Sequence, residues 1–400
     1  MPRKHGLAAI PRGVWALGLV SMCMDLSSEL IHSLLPLYMA VGLGVSAFTI
    51  GIIEGVAEAL ALVVKVFSGV LSDLFRKRKP LVLLGYGLAA LTKFVFPLAP
   101  TLGWIIGARF ADRVGKGIRG APRDALIADI APAELRGTSF GLRQALDTVG
   151  GIGGPLLALG AMAWFGGDFK AAFWVAVVPA VLCVGVLVAG VKEPERAPDA
   201  ARKPSLRWAD ARRLGAAYTI VVTIAAVLTL ARFSEAFLVL RAQNVGLAVT
   251  AAPWVMVVMS AVYAAVAYPA GTAADRGHGP RLLWAGFAAL IVADLVLAIA
   301  TGPWTLLAGA ALWGLHMGLT QGLLAALVAA SAPADLRGTA FGVFNLVCGV
   351  ALLLASALAG WLWDAYGPSV TFYAGAAITL VALVVLRLRG GDVGKLAGSA

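Results

Sequence analysis

PAELRGTSFG at residues 132–141 occurs a second time as PADLRGTAFG at residues 333–342, at an offset of 201. Weaker pairs have offsets of 202, 204 and 206, and they are GVLSD (69–73) with GTAAD (271–275), VGLGVSAF (41–48) with VGLAVTAA (245–252), and Ser28-Glu29 with Ser234-Glu235. Offsets that drift by a few residues are what loops of unequal length produce in a duplicated chain. The chain is therefore predicted to contain two copies of one unit.

Composition places both copies in a lipid bilayer. Of the 400 residues 60% are hydrophobic and 13% are charged, whereas soluble domains are about 45–50% apolar and about 25% charged. A membrane-spanning helix needs roughly 20 apolar residues, and backbone groups in hydrocarbon must be satisfied within the helix. We predict twelve helical spans at 13–40, 49–71, 80–98, 102–126, 138–163, 171–191, 214–241, 250–273, 281–300, 303–330, 339–363 and 369–387.

Lys and Arg are concentrated in alternate loops, which predicts the orientation of the spans. By the positive-inside rule both termini are cytoplasmic, and the first span acts as an uncleaved anchor in a bacterial cytoplasmic (inner) membrane. A polar segment at 192–213 reads as a cytoplasmic linker between an N-terminal six-helix bundle (1–191) and a C-terminal six-helix bundle (214–400). We expect a monomer.

The net charge of +11 does not indicate nucleic-acid binding, because the basic residues lie in short loops between apolar runs. We expect no nucleic-acid partner, no cofactor and no bound metal. The chain contains no HExxH, GxSxG or P-loop segment, so the sequence does not predict an enzyme. Two parallel repeats with a site between them are typical of secondary transporters.

Three motifs carry a family resemblance. GVLSDLFRKRK (69–79) lies between spans two and three, RVGKGIRGAP (113–122) lies in span four, and span five carries Gly141, Gly150, Gly154 and Pro155. Together they resemble the loop motif, the Arg-x-x-x-Gly motif and the antiporter glycine-proline pattern of the major facilitator superfamily. The chain departs from those patterns at Leu74, Arg76 and Ala158-Leu159. The resemblance implies a twelve-helix fold of two pseudo-symmetric bundles and transport by alternating access, and it implies no particular substrate.

The same resemblance suggests gating and packing residues. A loop Asp at a helix end can accept hydrogen bonds from a helix N-terminus or pair with Arg, while loop cations hold to anionic lipid. The predicted gating residues are Gly69, Asp73, Arg136, Asp275 and Arg337. Small residues let helices approach and Pro permits a bend, so Gly150, Gly154 and Pro155 are predicted helix-packing residues, with ordinary packing as the alternative to a functional bend.

Charged side chains within spans are the main indication of a site, because each costs at least about 2.5–3.5 kcal/mol in the bilayer centre. Span one holds Asp25, Glu29 and His32 on one helical face. Span two holds Glu54, Glu58 and Lys65, where Lys65 would neutralise an acid of either helix. The alternative for Glu54 and Glu58 is a solvated position near the membrane surface.

Span four carries a basic stripe within an arc of about 120°, composed of Arg109, Asp112, Arg113, Lys116, Arg119 and Arg123. Such a stripe suits an anionic substrate group. The alternatives are that Arg119 and Arg123 lie at the membrane surface, and that Arg109, Arg113 and Lys116 pair with acids of other spans. Arg143 and Asp147 of span five, at i and i+4, are left undecided between an internal pair and a role in transport.

Span seven adds Arg232 and Glu235, and Glu235 occupies the place of Glu29 in the second repeat. The predicted proton-coupling residues are Asp25, Glu29 and Glu235. The predicted substrate-binding residues are Arg109, Arg113, Lys116, Glu58 and Arg232. The lone polar residues of spans nine to eleven are expected to be satisfied buried groups, and they are Asp294, His316, Gln321 and Asn345.

The function predicted from these groups is proton-coupled export, by antiport, of a small organic molecule that is anionic or amphipathic. A carboxyl beside a mobile basic partner can alternate between protonated and paired states, so that proton and substrate compete for one acid. The alternative is a proton-coupled importer of an organic anion, for which the same charges would serve. A non-transporting membrane sensor is the less favoured third reading, because no loop is long enough for a soluble domain.

Overall fold

A computed structural model describes residues 9–74, 77–194, 213–333 and 336–397, and these residues contain helices and no strand. The helices are α1 Arg12–Leu37, α2 Ala47–Leu74, α3 Lys79–Leu98, α4 Leu102–Ile130, α5 Arg136–Trp164, α6 Phe169–Gly190, α7 Ala216–Ala231, α8 Ala236–Asn244, α9 Trp254–Ala273, α10 Gly279–Ala298, α11 Pro303–Ser331, α12 Arg337–Tyr366 and α13 Pro368–Ala397. A π-helical turn, Tyr38–Gly42, extends α1, and a second, Ala274–His278, joins α9 to α10.

The predicted all-helical membrane fold with twelve spans is confirmed. By length and apolar composition, nine segments of the described chain qualify as spans, and one of them, Val249–Ala298, contains both α9 and α10. The first part of α13, Pro368–Val384, is a shorter apolar helix. Helix α4 completes the twelve, and its charged side chains lower its apolar character.

Span seven is broken, which the sequence prediction of one continuous helix at 214–241 missed. Helix α7 ends at Ala231 and α8 begins at Ala236, and Arg232 leaves helical geometry with φ −104° and ψ 83°. Two serines satisfy backbone groups at the break. The backbone N–H of Ser234 donates to Ser356 Oγ of α12 at 3.1 Å, and the N–H of Ala236 donates to Ser234 Oγ at 3.3 Å. A break inside a membrane is tolerated because such groups find internal partners.

Contacts divide the chain into two compact units. Unit 1 comprises the described parts of Met1–His32 and Leu60–Pro204, and unit 2 comprises those of Ser33–Ala59 and Ser205–Ala400. This division follows contacts and assigns residues 33–59 to unit 2, whereas the predicted bundles 1–191 and 214–400 follow the sequence repeat and stay a prediction. Most of the predicted linker, 195–212, lies outside the described residues.

The duplication is visible in how glycines pack within each unit. In both units a glycine of one helix lies so close to the next that an added Cβ would approach it to less than 3.0 Å. Each residue of a contact in unit 2 follows its counterpart in unit 1 by 201 or 202 positions. Gly117 lies against Ala61 and Val64, and its counterpart Gly318 lies against Tyr263 and Val266. Gly85 lies against Gly115 and Arg119, and its counterpart Gly286 lies against Thr320, with His316 next to it.

The N-terminus of α2 is held against α12 within unit 2. A Cβ on Gly51 would lie 2.2 Å from the carbonyl oxygen of Ser356, and one on Gly360 would lie 2.5 Å from that of Ala47. Asp364 accepts hydrogen bonds from the backbone N–H groups of Ala47 at 3.1 Å and Phe48 at 2.9 Å. These N–H groups have no partner inside the helix, so Asp364 acts as their cap.

Candidate functional site

The acidic face of α1 packs against the glycine face of α5. A Cβ on Gly150 would lie 2.8 Å from the Cβ of Asp25, and a Cβ on Gly154 would lie 2.6 Å from the Cβ of Glu29. The glycines therefore bring the two helices close enough for both carboxyl-bearing residues to lie at the crossing. Pro155 is buried within α5 directly after Gly154.

Basic and acidic groups surround Asp25. Its carboxyl interacts electrostatically with Asp147 of α5, with Arg119 and Lys116 of α4, and with Glu29. Asp25 and Glu29 are half-buried, whereas Lys116 is exposed. The arrangement places carboxyl groups and an exposed cation of three helices in one region of unit 1.

Arg143 and Asp147 of α5 form an ion pair. Arg143 donates to Asp147 at 2.5 Å, four residues along the same helix, and its guanidinium lies 3.9 Å from Asp124 of α4. Both Arg143 and Asp147 are half-buried. Arg143 and Asp147, whose role the sequence left undecided, thus pair with each other, and Asp147 also interacts with Asp25.

One deeply buried ion pair of unit 1 includes a residue that the sequence analysis missed. Lys93 of α3 lies 2.8 Å from Asp112, and their side chains are 1% and 4% exposed. Lys93 also donates to Ser28 at 3.1 Å, and Arg113 lies 3.5 Å from Asp112. A lone Lys in the apolar run GYGLAALTKFVFPL was the signal that could have identified it.

The arginines of the basic stripe are buried or half-buried within unit 1. Arg109 is 1% exposed and lies 3.0 Å from His32 Nδ1 of α1, and Arg113 is 2% exposed. The surface position considered for Arg119 is wrong, because Arg119 is 4% exposed and its guanidinium stacks 4.7 Å from the ring centroid of Tyr86. Arg123 is half-buried and donates to Ser21 at 2.7 Å. Lys116 is therefore the one exposed member among the described residues of the stripe.

The charged residues of α2 differ from one another in burial. Glu54 is fully buried in unit 2, which contradicts the solvated position considered for it. Glu58 is half-buried in the same unit. Lys65 belongs to unit 1 and is exposed, with its aliphatic stem 3.7 Å from the position of a Cβ on Gly120. The fold therefore assigns the two acids and the lysine to different units.

In unit 2 the break between α7 and α8 collects polar groups. Arg232 and Glu235 flank the break and are half-buried. Tyr263 of α9 interacts electrostatically with both residues, and His316 of α11 interacts with Arg232. Between Arg232 and Glu235, Phe233 is packed among aromatic rings. The centroid of its ring lies 5.4 Å from that of Trp313 and 5.5 Å from that of Phe372.

Asp294 overturns the expectation of a satisfied buried group. It is fully buried in α10, and neither carboxyl oxygen has a hydrogen-bond partner in the described part of the chain. His316 is bound at Nδ1 to the carbonyl oxygen of Gly286 at 2.9 Å, while its Nε2 has no such partner there. The expectation was therefore wrong for Asp294 and half right for His316. Gln321 and Asn345 are half-buried.

A groove of about 550 Å³ between α3 and α4 is a poor candidate for the substrate site. It is lined by apolar side chains, Gly and Thr, and none of the charged candidates borders it. Its rim residues Leu91 and Trp104 are 66% and 58% exposed. Apolar exposure of this kind is what a bilayer covers.

Comparisons with known proteins agree with this architecture. The family model of the Major Facilitator Superfamily matches residues 17–240 and 224–396. An uncharacterised MFS-type transporter of Methanocaldococcus jannaschii is 30% identical over 94% of both chains. The chain belongs to the major facilitator superfamily. The inner membrane transport protein YajR of Escherichia coli is 25% identical over 94% of this chain and 82% of YajR. A solved peptide transporter has the same fold, with a TM-score of 0.79 at 15% identity over 98% of this chain and 97% of that one.

Membership in this superfamily makes the chain a multi-pass membrane transporter, which is generally a non-enzymatic function. In the described residues, no group of three or more His, Cys, Asp or Glu side chains is arranged to hold a metal ion. The superfamily does not specify the substrate, the direction or the coupling ion.

Part of the superfamily loop motif lies outside the described residues, including the side chain of Asp73. Gly69 is half-buried in α2, and the other predicted gating residues are exposed at helix ends, namely Arg136, Asp275 and Arg337. Arg136 donates to the carbonyl oxygen of Ala128 at 3.2 Å.

The last two cations of the motif have partners within the protein. Arg78 lies 3.2 Å from Asp129 at the end of α4. Glu193 accepts from the backbone N–H groups of Arg78 at 2.8 Å and Lys79 at 2.6 Å, so it caps α3. The Lys79 ammonium donates to the carbonyl oxygen of Val191 at 2.6 Å. That these loop cations hold to anionic lipid stays a prediction.

Proposed function

We propose that this transporter is a proton-coupled exporter of a small organic molecule that is anionic or amphipathic. The observation that carries the proposal is the position of Asp25 and Glu29 at the α1–α5 crossing, within the field of Lys116 and Arg119. Carboxyl groups inside a membrane span commonly serve proton relays and substrate pathways. We further propose a bacterial cytoplasmic membrane location with both termini in the cytoplasm.

Lys116 is the proposed first contact for the anionic group of the substrate. It is exposed, whereas Arg109 and Arg113 are buried and engaged with His32 and Asp112. Those two arginines act on the substrate through the positive potential they add. Arg232 in unit 2 is the proposed cation of the second repeat.

Proton and substrate are coupled through competition at α1. When Asp25 and Glu29 are ionised, their carboxylates accept hydrogen bonds from the substrate while Lys116 binds its anionic group. When the two carboxyls are protonated, they no longer hold the substrate, and it is released. Glu235 is the proposed counterpart in unit 2, where it lies beside Arg232 and Tyr263.

The test measures substrate-evoked proton movement in proteoliposomes loaded with a pH-sensitive dye. A panel of organic anions and amphipathic drugs is added to wild type, Asp25→Asn, Glu29→Gln and Asp168→Asn. Asp168 is the matched control because it caps α6 from outside the site, and Asn is an equally good cap. We expect proton flux opposite to substrate in wild type and control, and loss of that flux in the α1 variants. Flux in the same direction as substrate would establish the importer instead.

A further inference from the structure

Asp294 of α10 is an ionisable group that no part of the proposed function uses. Its side chain is fully buried, and both carboxyl oxygens lack a hydrogen-bond partner within the described ranges. An ionised carboxylate in such surroundings is strongly disfavoured, and a buried acid without a partner avoids that cost by holding its proton. The residue is therefore of interest as a site that binds a proton.

The carboxyl group lies beside the break in span seven. A Cβ on Gly375 of α13 would lie 2.6 Å from Asp294 Oδ2 and 3.3 Å from the ring of Phe233. Phe233 is the residue that follows Arg232 in the non-helical segment. The Asp294 carboxyl and the ring of Phe233, a residue of the non-helical segment, therefore both lie against Gly375, whose lack of a side chain provides the space.

In the second repeat an ionisable residue occupies the position of Lys93, but the position of its partner Asp112 is not ionisable. At the offset of 201 that relates the glycine contacts, Asp294 corresponds to Lys93 and Trp313 to Asp112. In unit 1 Lys93 has a carboxylate partner at 2.8 Å. In unit 2 the indole of Trp313 is fully buried, and its N–H has no hydrogen-bond partner in the described chain. At these two positions unit 1 thus has an ion pair, and unit 2 has a carboxyl group beside an uncharged indole.

The elements that surround α10 in unit 2 carry several charged and titratable groups. Helix α11 contributes His316, the broken span contributes Arg232 and Glu235, and α8 contributes Arg241. Arg241 is 6% exposed and donates to three carbonyl oxygens at the end of α10, those of Leu297, Ala298 and Ala300. On α13 the titratable residue Tyr373, two positions before Gly375, is 44% exposed. Arg232 directly precedes Phe233, and its backbone is non-helical.

We propose that Asp294 is a proton-binding site of unit 2, protonated in this conformation and ionised when the 232–235 segment rearranges and brings Arg232 to the carboxylate. On release the O–H bond breaks, the proton passes to water and the carboxylate keeps the electron pair. For its role in transport this site rests on the proton coupling proposed above. The protonated state itself does not depend on that coupling.

Infrared spectroscopy of the full-length protein in phosphatidylethanolamine–phosphatidylglycerol vesicles tests the site. At near-neutral pH we expect a C=O band of a protonated carboxyl in wild type that Asp294→Asn lacks and the control Asp168→Asn retains. Identical carboxyl bands in wild type and Asp294→Asn would overturn the proposal. If Asp294→Asn does not fold, Asp294→Glu takes its place, and the band must then shift in position.

Substrate-evoked proton release on the same samples separates the two proposals. An Asp294 band in a wild-type protein that moves no protons supports the site and contradicts proton-coupled export. Proton release from a wild-type protein without an Asp294 band supports proton-coupled export and contradicts the site.

Discussion

At the scale of single residues, the pair of Lys93 and Asp112 shows how strongly burial determines the role of a charge. Both side chains are nearly inaccessible, and Arg113 and Ser28 complete the cluster. A buried ion pair adds little net stability, yet removal of one partner leaves the other charge buried without compensation. The cluster is therefore better suited to fixing α3 against α4 than to contacting a substrate.

We predict that Lys93→Met lowers the free energy of unfolding by about 3–5 kcal/mol, the usual effect of breaking a buried pair. Thermal unfolding in detergent measures it, with Lys65→Met as the control because Lys65 is exposed on α2. We expect the control to change stability by less than about 0.5 kcal/mol. A Lys93→Met protein as stable as wild type would contradict the structural role.

Residue types and spacing predicted the acidic face of α1 and the basic stripe of α4, because charge in an apolar run is conspicuous. They did not predict which cations are engaged. Lys116 and Arg113 differ by three positions on one helix, yet Lys116 is exposed and Arg113 is 2% exposed. That difference depends on partners from α1 and α3, which are distant in sequence.

At the scale of elements, the crossing of α1 and α5 depends on the absence of side-chain atoms. A Cβ on Gly154 would lie 2.6 Å from Glu29 Cβ and 2.9 Å from the carbonyl oxygen of Leu26, whereas one on Gly151 would meet nothing within 4 Å. The two positions are three residues apart on the same helix. They provide a matched comparison of packing at the proposed site.

We predict opposite effects for Gly154→Ala and Gly151→Ala. Overpacking at Gly154 costs about 1–3 kcal/mol, while Ala at Gly151 gains up to about 1 kcal/mol from helix propensity. Unfolding midpoints of the purified variants measure both, and transport assays should show a loss for Gly154→Ala alone. Equal midpoints for the two variants would show that the α1–α5 crossing is not tightly packed.

The N-terminus of α2 provides a second prediction at this scale. Asp364 caps Ala47 and Phe48, and loss of such a cap typically costs about 1 kcal/mol. We predict that Asp364→Ala speeds hydrogen exchange of the first turn of α2 by about fivefold, since exchange reports local opening. Asp364→Asn, which retains a capping oxygen, should change exchange less. Unchanged exchange in Asp364→Ala would contradict the capping role.

The boundaries of most helices followed from apolar run lengths, but the break of span seven did not. The run from 214 to 241 is apolar enough to be one helix, and neither Pro nor Gly marks residues 232–235. The break is stabilised by Ser356, which accepts from the Ser234 N–H across 122 residues of sequence. A local pattern carries no information about that partner.

At the scale of the whole molecule, duplication explains the fold, and its departures point to function. Glycine contacts repeat between the units at offsets of 201 and 202. The buried ion pair of unit 1 does not repeat, because Lys93 and Asp112 are replaced by Asp294 and Trp313. Two copies with equal packing and unequal charge can respond differently to a proton, which is what coupling to a gradient requires.

We propose above that the α1 carboxyls couple transport to protons. The most direct test is the dye-reported proton movement evoked by substrate in proteoliposomes containing wild type, Asp25→Asn or Glu29→Gln at equal insertion. We predict proton counterflow in wild type and substrate movement without proton counterflow in the two variants. Unchanged counterflow in both variants would contradict it.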